Sequence, residues 1–125
     1  MKIEHIAIWT KDIEKTKDFF VKYFGVKVGD FYENSKGFSS YFVSFDSGAR
    51  LEIMNNIQIN KPYEDTRLGY SHFAVSVGSK EIVNTLTETL RNDRYEVASE
   101  PRTTGDGYYE SVILGPDNIR IEITE

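Results

Sequence analysis

The chain has 125 residues, 39% hydrophobic and 28% charged, which fits a soluble globular domain able to bury well over half of its unfolded surface. It contains no cysteine, which excludes disulfides, thiolate metal ligands and a cysteine nucleophile. Its net charge of −5 works against phosphate-backbone binding, and no apolar run approaches the roughly 20 residues that cross a bilayer, so neither a nucleic-acid nor a membrane partner is expected.

The first residues enter a strand without a charged leader, apolar stretch or small-residue cleavage site, so cytoplasmic residence is the default expectation. That strand spans 5–10, with Ile6 and Ile8 on one face and His5 and Ala7 on the other. A helix follows over 12–25, acidic early and basic late, with Ile13, Thr16, Phe20, Tyr23 and Phe24 as its inner stripe and Gly25 as its stop. A second strand over 26–32, a turn at 34–37, a third strand over 40–45 and a tight turn at 46–48 lead into the strand that carries Glu52.

Residues 55–69, with Pro62 and mixed charge, follow neither period and read as a connector. Beyond it the pattern restarts: a strand over 72–77, a helix capped by Ser79 and running through Ile82, Val83, Leu86 and Leu90 to about Asn92, and a strand at 95–97. A polar loop at 101–107 and a hairpin turn at 115–118 precede the strand that carries Glu122.

The second half repeats the first. His5-Ile-Ala-Ile-Trp-Thr returns as His72-Phe-Ala-Val-Ser-Val, and Gly37 through Ile53 lies without a gap on Gly107 through Ile123, matching Arg50 with Arg120 and Glu52 with Glu122. The expectation is a single domain over 1–125 made of two βαβββ modules, the first at about 1–55 and the second at about 70–125, joined by a connector at about 56–69.

Leu51 and Ile53 flank Glu52 as Ile121 and Ile123 flank Glu122, so helices on the aliphatic faces leave both glutamates and both histidines on the opposite faces. Taken singly, each of these four residues reads as ordinary solvated surface. Together they are the only two histidines of the chain and two glutamates, equivalently placed in two copies, and such an N₂O₂ set suits Zn²⁺, Ni²⁺, Co²⁺, Mn²⁺ or Fe²⁺. Strand alternation puts Trp9 and Met54 beside His5 and Glu52 as pocket walls, and Phe38, Tyr41 and Tyr109 are further candidates for the same mouth. Arg50 and Arg120, on the glutamate faces, read first as ion-pair partners.

The residues His5-Ile-Ala-Ile-Trp-Thr-Lys-Asp-Ile13, Tyr23-Phe-Gly25, Leu51-Glu-Ile53, Ser71-His-Phe-Ala-Val-Ser76 and Gly115-Pro-Asp-Asn-Ile-Arg-Ile-Glu122 resemble the glyoxalase/bleomycin-resistance/extradiol-dioxygenase group, the vicinal oxygen chelate superfamily. The resemblance covers nearly the whole chain. It implies an α+β fold of paired βαβββ modules in a half-open barrel around a divalent metal, commonly in a homodimer whose subunits in some members share the site.

With all four ligand positions filled, the chain looks most like glyoxalase I, lactoylglutathione lyase, which implies His5, Glu52, His72 and Glu122 as metal ligands. The implied reaction is isomerisation of an α-oxoaldehyde–thiol hemithioacetal, in which the metal polarises vicinal oxygens and a glutamate, Glu122 first and Glu52 second, moves a proton between adjacent carbons. Asn56 matches the asparagine that follows the first glutamate in glutathione-dependent members. Trp9 stands where those members carry an arginine, so the thiol cosubstrate stays open. The alternatives are a drug-sequestering protein of the bleomycin-resistance type, which has little need of the full quartet, and an extradiol dioxygenase, which commonly uses two histidines and one carboxylate.

Overall fold

Each half of the chain lays one amphipathic helix across one sheet, and that pairing decides which strand residues are covered. The computed structural model describes residues 2–61, 68–105 and 107–125 and divides into two compact units, Met1–Lys61 and Pro62–Glu125. Residues 62–67 of the expected connector, and Asp106 of the expected loop at 101–107, lie outside the described residues.

In the first unit β1 (His5–Trp9) leads to α1 (Ile13–Phe24). Asp12 caps the helix by accepting the Lys15 N–H at 2.9 Å, and Gly25 ends it in the left-handed region at φ 62°, its N–H bonded to the Val21 carbonyl. Two short strands, β2 (Lys27–Val28) and β3 (Tyr32–Glu33), then pair with β4 (Phe38–Ser44), and β5 (Arg50–Asn56) completes the sheet. The order is β1-β5-β4-β2, with β3 also on β4; β1 runs parallel to β5 and the other pairs are antiparallel.

The continuous strand expected over 26–32 is therefore broken. Val28 pairs with Val43 and Tyr32 with Ser40, so four residue steps on one edge face three on the other, and the surplus residue bulges out. Gly29 sits at the break, where its N–H donates to the Phe42 carbonyl at 2.8 Å and an added Cβ would lie 3.2 Å from that same oxygen.

The second unit repeats the plan with β6 (Phe73–Ser76), α2 (Lys80–Asn92), β7 (Glu96–Thr103), β8 (Tyr109–Leu114) and β9 (Arg120–Thr124), in the order β6-β9-β8-β7. Again the outer pair, β6 with β9, is parallel. Ser79 caps α2, accepting the Ile82 N–H. Contrary to the loop expected from 101, β7 runs on through Pro101 to Thr103. A proline is tolerated there because β7 is an edge strand, and its pairing with β8 is shifted on either side of Ser99. The hairpin at 115–118 turns through Asp117 and Asn118, both at positive φ.

Each core fills the space between helix and sheet. Phe19 and Phe20 of α1 are buried with Ile8, Val43, Leu51 and Ile53, and Val83 and Leu90 of α2 with Ile113, Ile121 and Ile123. Each such side chain contributes about 1.5–3 kcal/mol of burial free energy. Phe19, absent from the expected stripe, is buried, whereas Tyr23 and Phe24 are only half-buried. The architecture is α+β, one helix and one sheet in each of two units, as the resemblance implies. Among the described residues no helix is long and apolar enough to cross a membrane.

Candidate metal centre

Parallel pairing sets the histidine and the glutamate of each unit on one uncovered face. Ala7 stands opposite Glu52 and Ala74 opposite Glu122, with Leu51, Ile53, Ile121 and Ile123 turned under the helices. His5 lies two residues before Ala7, and His72 two residues before Ala74, so each imidazole is a diagonal neighbour of its glutamate. An alanine directly across from each carboxylate leaves the space above it open.

The resulting distances are short. His5 Nε2 lies 3.9 Å from Glu52 Oε2, and His72 Nε2 lies 3.3 Å from Glu122 Oε2. Both glutamate side chains are 16% exposed and both histidines about two-fifths, so the carboxylates sit at the base of each site and the rings at its rim. Two donors about 2.1 Å from one ion and 90–110° apart lie about 3.0–3.4 Å from each other. The second pair already has that spacing, and the first is about half an ångström wide of it. Among the described residues no group of three or more His, Cys, Asp or Glu side chains is gathered on one point, so what each unit presents is one imidazole nitrogen and one carboxylate. The donor set fits a borderline divalent ion.

The opposite ring nitrogens are also engaged. His5 Nδ1 meets Glu4 Oε2 at 2.5 Å, and His72 Nδ1 lies 3.2 Å from Ser71 Oγ. Arg50 does not reach Glu52: its Nε and Nη2 both donate to Glu4 Oε1, at 2.7 and 2.5 Å. The hydrogen bond from His5 and, after it, the Arg50 guanidinium hold the Glu4 carboxyl below the usual carboxylate range. Glu4, Ser71 and Phe42 were not among the expected site residues. Glu4 and Ser71 precede the histidines in both copies, and that repeated position was the available signal.

Trp9, Phe38 and Met54, three of the expected wall residues, lie on the same face as the first pair. Trp9 pairs with Met54 in register, and its ring meets Phe38 edge-on at 6.2 Å. Phe42, opposite Glu52 on β4, meets His5 edge-on at 5.3 Å. Asn56 ends β5 and accepts the Gln58 N–H through Oδ1, a local turn contact. In the second unit the positions corresponding to Trp9, Ser40 and Met54 are Ser76, Glu110 and Thr124, so its uncovered face is more polar.

Two expected wall residues lie elsewhere. Tyr41 pairs with Ile53 and therefore shares the helix face, where its hydroxyl donates to Glu14 of α1 at 2.8 Å. Tyr109 likewise falls on the α2 face and donates to Asn84 Oδ1 at 2.8 Å. A one-residue change of parity moves a strand side chain to the other side of the sheet, and both tyrosines are on the wrong parity to line either site.

Residues 2–123 match the Glyoxalase/Bleomycin resistance protein/Dioxygenase superfamily. No curated protein matches the chain by sequence. Solved structures share the fold: glyoxalase I from Zea mays at 20% identity and TM-score 0.80, covering 98% of this chain and 44% of that one. The trypanothione-dependent glyoxalase I of Leishmania major aligns at 20% identity and TM-score 0.79, covering 100% and 86%. A glyoxalase family protein from Enterococcus faecalis aligns at 24% identity and TM-score 0.81, covering 99% and 97%. The chain thus spans under half the length of the maize enzyme.

Proposed function

Because this chain belongs to the Glyoxalase/Bleomycin resistance protein/Dioxygenase superfamily, we propose that it is a metal-dependent lyase or isomerase acting on a small substrate with vicinal oxygens, such as an α-oxoaldehyde–thiol hemithioacetal. The observation that carries the reading is the repeated pair: in both units a histidine Nε2 faces a half-buried glutamate carboxylate across a parallel strand pair. In each unit the histidine and the glutamate, His5 with Glu52 and His72 with Glu122, are the proposed donors for a divalent ion.

A bound ion of this class supplies Lewis acidity toward two adjacent substrate oxygens. The chain's residues supply the rest. Glu122, close to His72 and largely buried at the base of its pair, takes a proton from one carbon and returns it to the next; Glu52 is the second candidate. Trp9, Phe38 and Met54 favour an apolar substituent beside the first pair.

The same apolar wall supports a second reading, a sequestering protein that binds a drug-like ligand without chemistry. Metal analysis by mass spectrometry, run beside an assay with methylglyoxal and several thiols, separates the two. Turnover that depends on metal supports the enzyme; metal-independent ligand binding with no turnover for any thiol supports sequestration.

A further inference from the structure

Resting on the metal reading above, we infer that Glu4 is a positioning residue: it fixes the tautomer and aim of His5, so that Nε2 carries the lone pair a cation needs. Glu4 Oε2 lies 2.5 Å from His5 Nδ1. An ionised carboxylate can only accept, so Nδ1 must carry the proton; a neutral imidazole has one N–H, which leaves Nε2 bare on the side of Glu52. The glutamate is itself held in place. Both Arg50 donors grip its other oxygen, and the Arg50 N–H bonds to the Glu4 carbonyl at 3.0 Å. The Arg50 guanidinium lies 4.1 Å over the Phe42 ring, which in turn packs edge-on to His5. Ring, carboxylate, guanidinium and phenyl thus form one closed set.

Among the described residues of the second unit no carboxylate stands at the Nδ1 of its histidine. Ser71 stands where Glu4 does, its hydroxyl 3.2 Å from His72 Nδ1, and a hydroxyl, unlike a carboxylate, can donate or accept. The two repeats present the same ligands with unequal support: a carboxylate holds the far nitrogen of His5, and a hydroxyl stands at that of His72. Outer-sphere partners of this kind change metal affinity about 10- to 100-fold.

The test combines ¹⁵N NMR of the ring nitrogens in the metal-free chain, at a pH where both rings are neutral, with calorimetric titration of Zn²⁺. In the unaltered chain His5 is expected in the Nδ1–H form. Glu4→Ala shifts it toward Nε2–H and weakens Zn²⁺ binding about 10- to 100-fold. Glu4→Gln, whose amide oxygen still accepts, restores part of both, and Ser71→Ala has the smaller effect on affinity. If the unaltered chain binds Zn²⁺ and Glu4→Ala changes neither tautomer nor affinity, the inference fails and the metal reading stands. If the unaltered chain takes up no Zn²⁺, the metal reading fails and the inference with it.

Discussion

His72 Nε2 faces Glu122 Oε2 at 3.3 Å across the parallel pair of β6 and β9, a spacing at which the two atoms can share one small cation. Glutamine at position 122 keeps the shape of the side chain and loses its ability to take a proton. Glu122→Gln is therefore expected to cut isomerase turnover at least about 100-fold while circular dichroism and thermal melting stay unchanged. Full turnover in this variant would transfer the base to Glu52.

Glu14 on α1 is held below its ordinary value of 4.5, first by the Lys17 ammonium and then by the Tyr41 hydroxyl. A carboxyl whose folded pKa is lowered stabilises the fold above its unfolded value, and that contribution is lost as pH falls through the folded value. Tyr41→Phe removes one donor, so the Glu14 pKa should rise toward 4.5 without reaching it, because Lys17 remains. Carboxyl ¹³C shifts followed through acid pH read this directly; an unmoved Glu14 titration would contradict the helix-face position of Tyr41.

Thr87 and Ser111 join α2 to β8 through a buried hydroxyl pair at 2.7 Å. Thr87 Oγ1 donates to the Val83 carbonyl, so Ser111 is the donor between the two hydroxyls. Thr87→Val strands the Ser111 proton in a fully buried place and should cost about 1–3 kcal/mol in urea denaturation. Adding Ser111→Ala should recover part of that loss, and strict additivity of the two changes would show that the hydroxyls do not interact.

The duplication, the helix ends at Gly25 and Ser79, and the shared face of histidine and glutamate were all legible in the sequence, because they rest on local periodicity and on comparing the chain with itself. What stayed hidden depends on pairing between strands. The partner of Tyr41 on β5 is Ile53 rather than Glu52, and nothing local distinguishes those registers. The bulge at Gly29 arises only when 26–33 is laid along β4. Pro101 signals a loop in isolation and is acceptable in β7 because that strand lies at an edge. Strict alternation puts Glu4 on the face away from His5, which hides it in the sequence; at the exposed start of a strand its side chain is long enough to reach the ring nitrogen.

The most direct test is the metal content of the chain, stripped with a chelator, reloaded and weighed by native mass spectrometry beside the His72→Ala variant. About one divalent ion per chain is expected, and it is expected to be lost on removing the imidazole. Failure to retain any of Zn²⁺, Ni²⁺, Co²⁺, Mn²⁺ or Fe²⁺, or undiminished retention without His72, would contradict this.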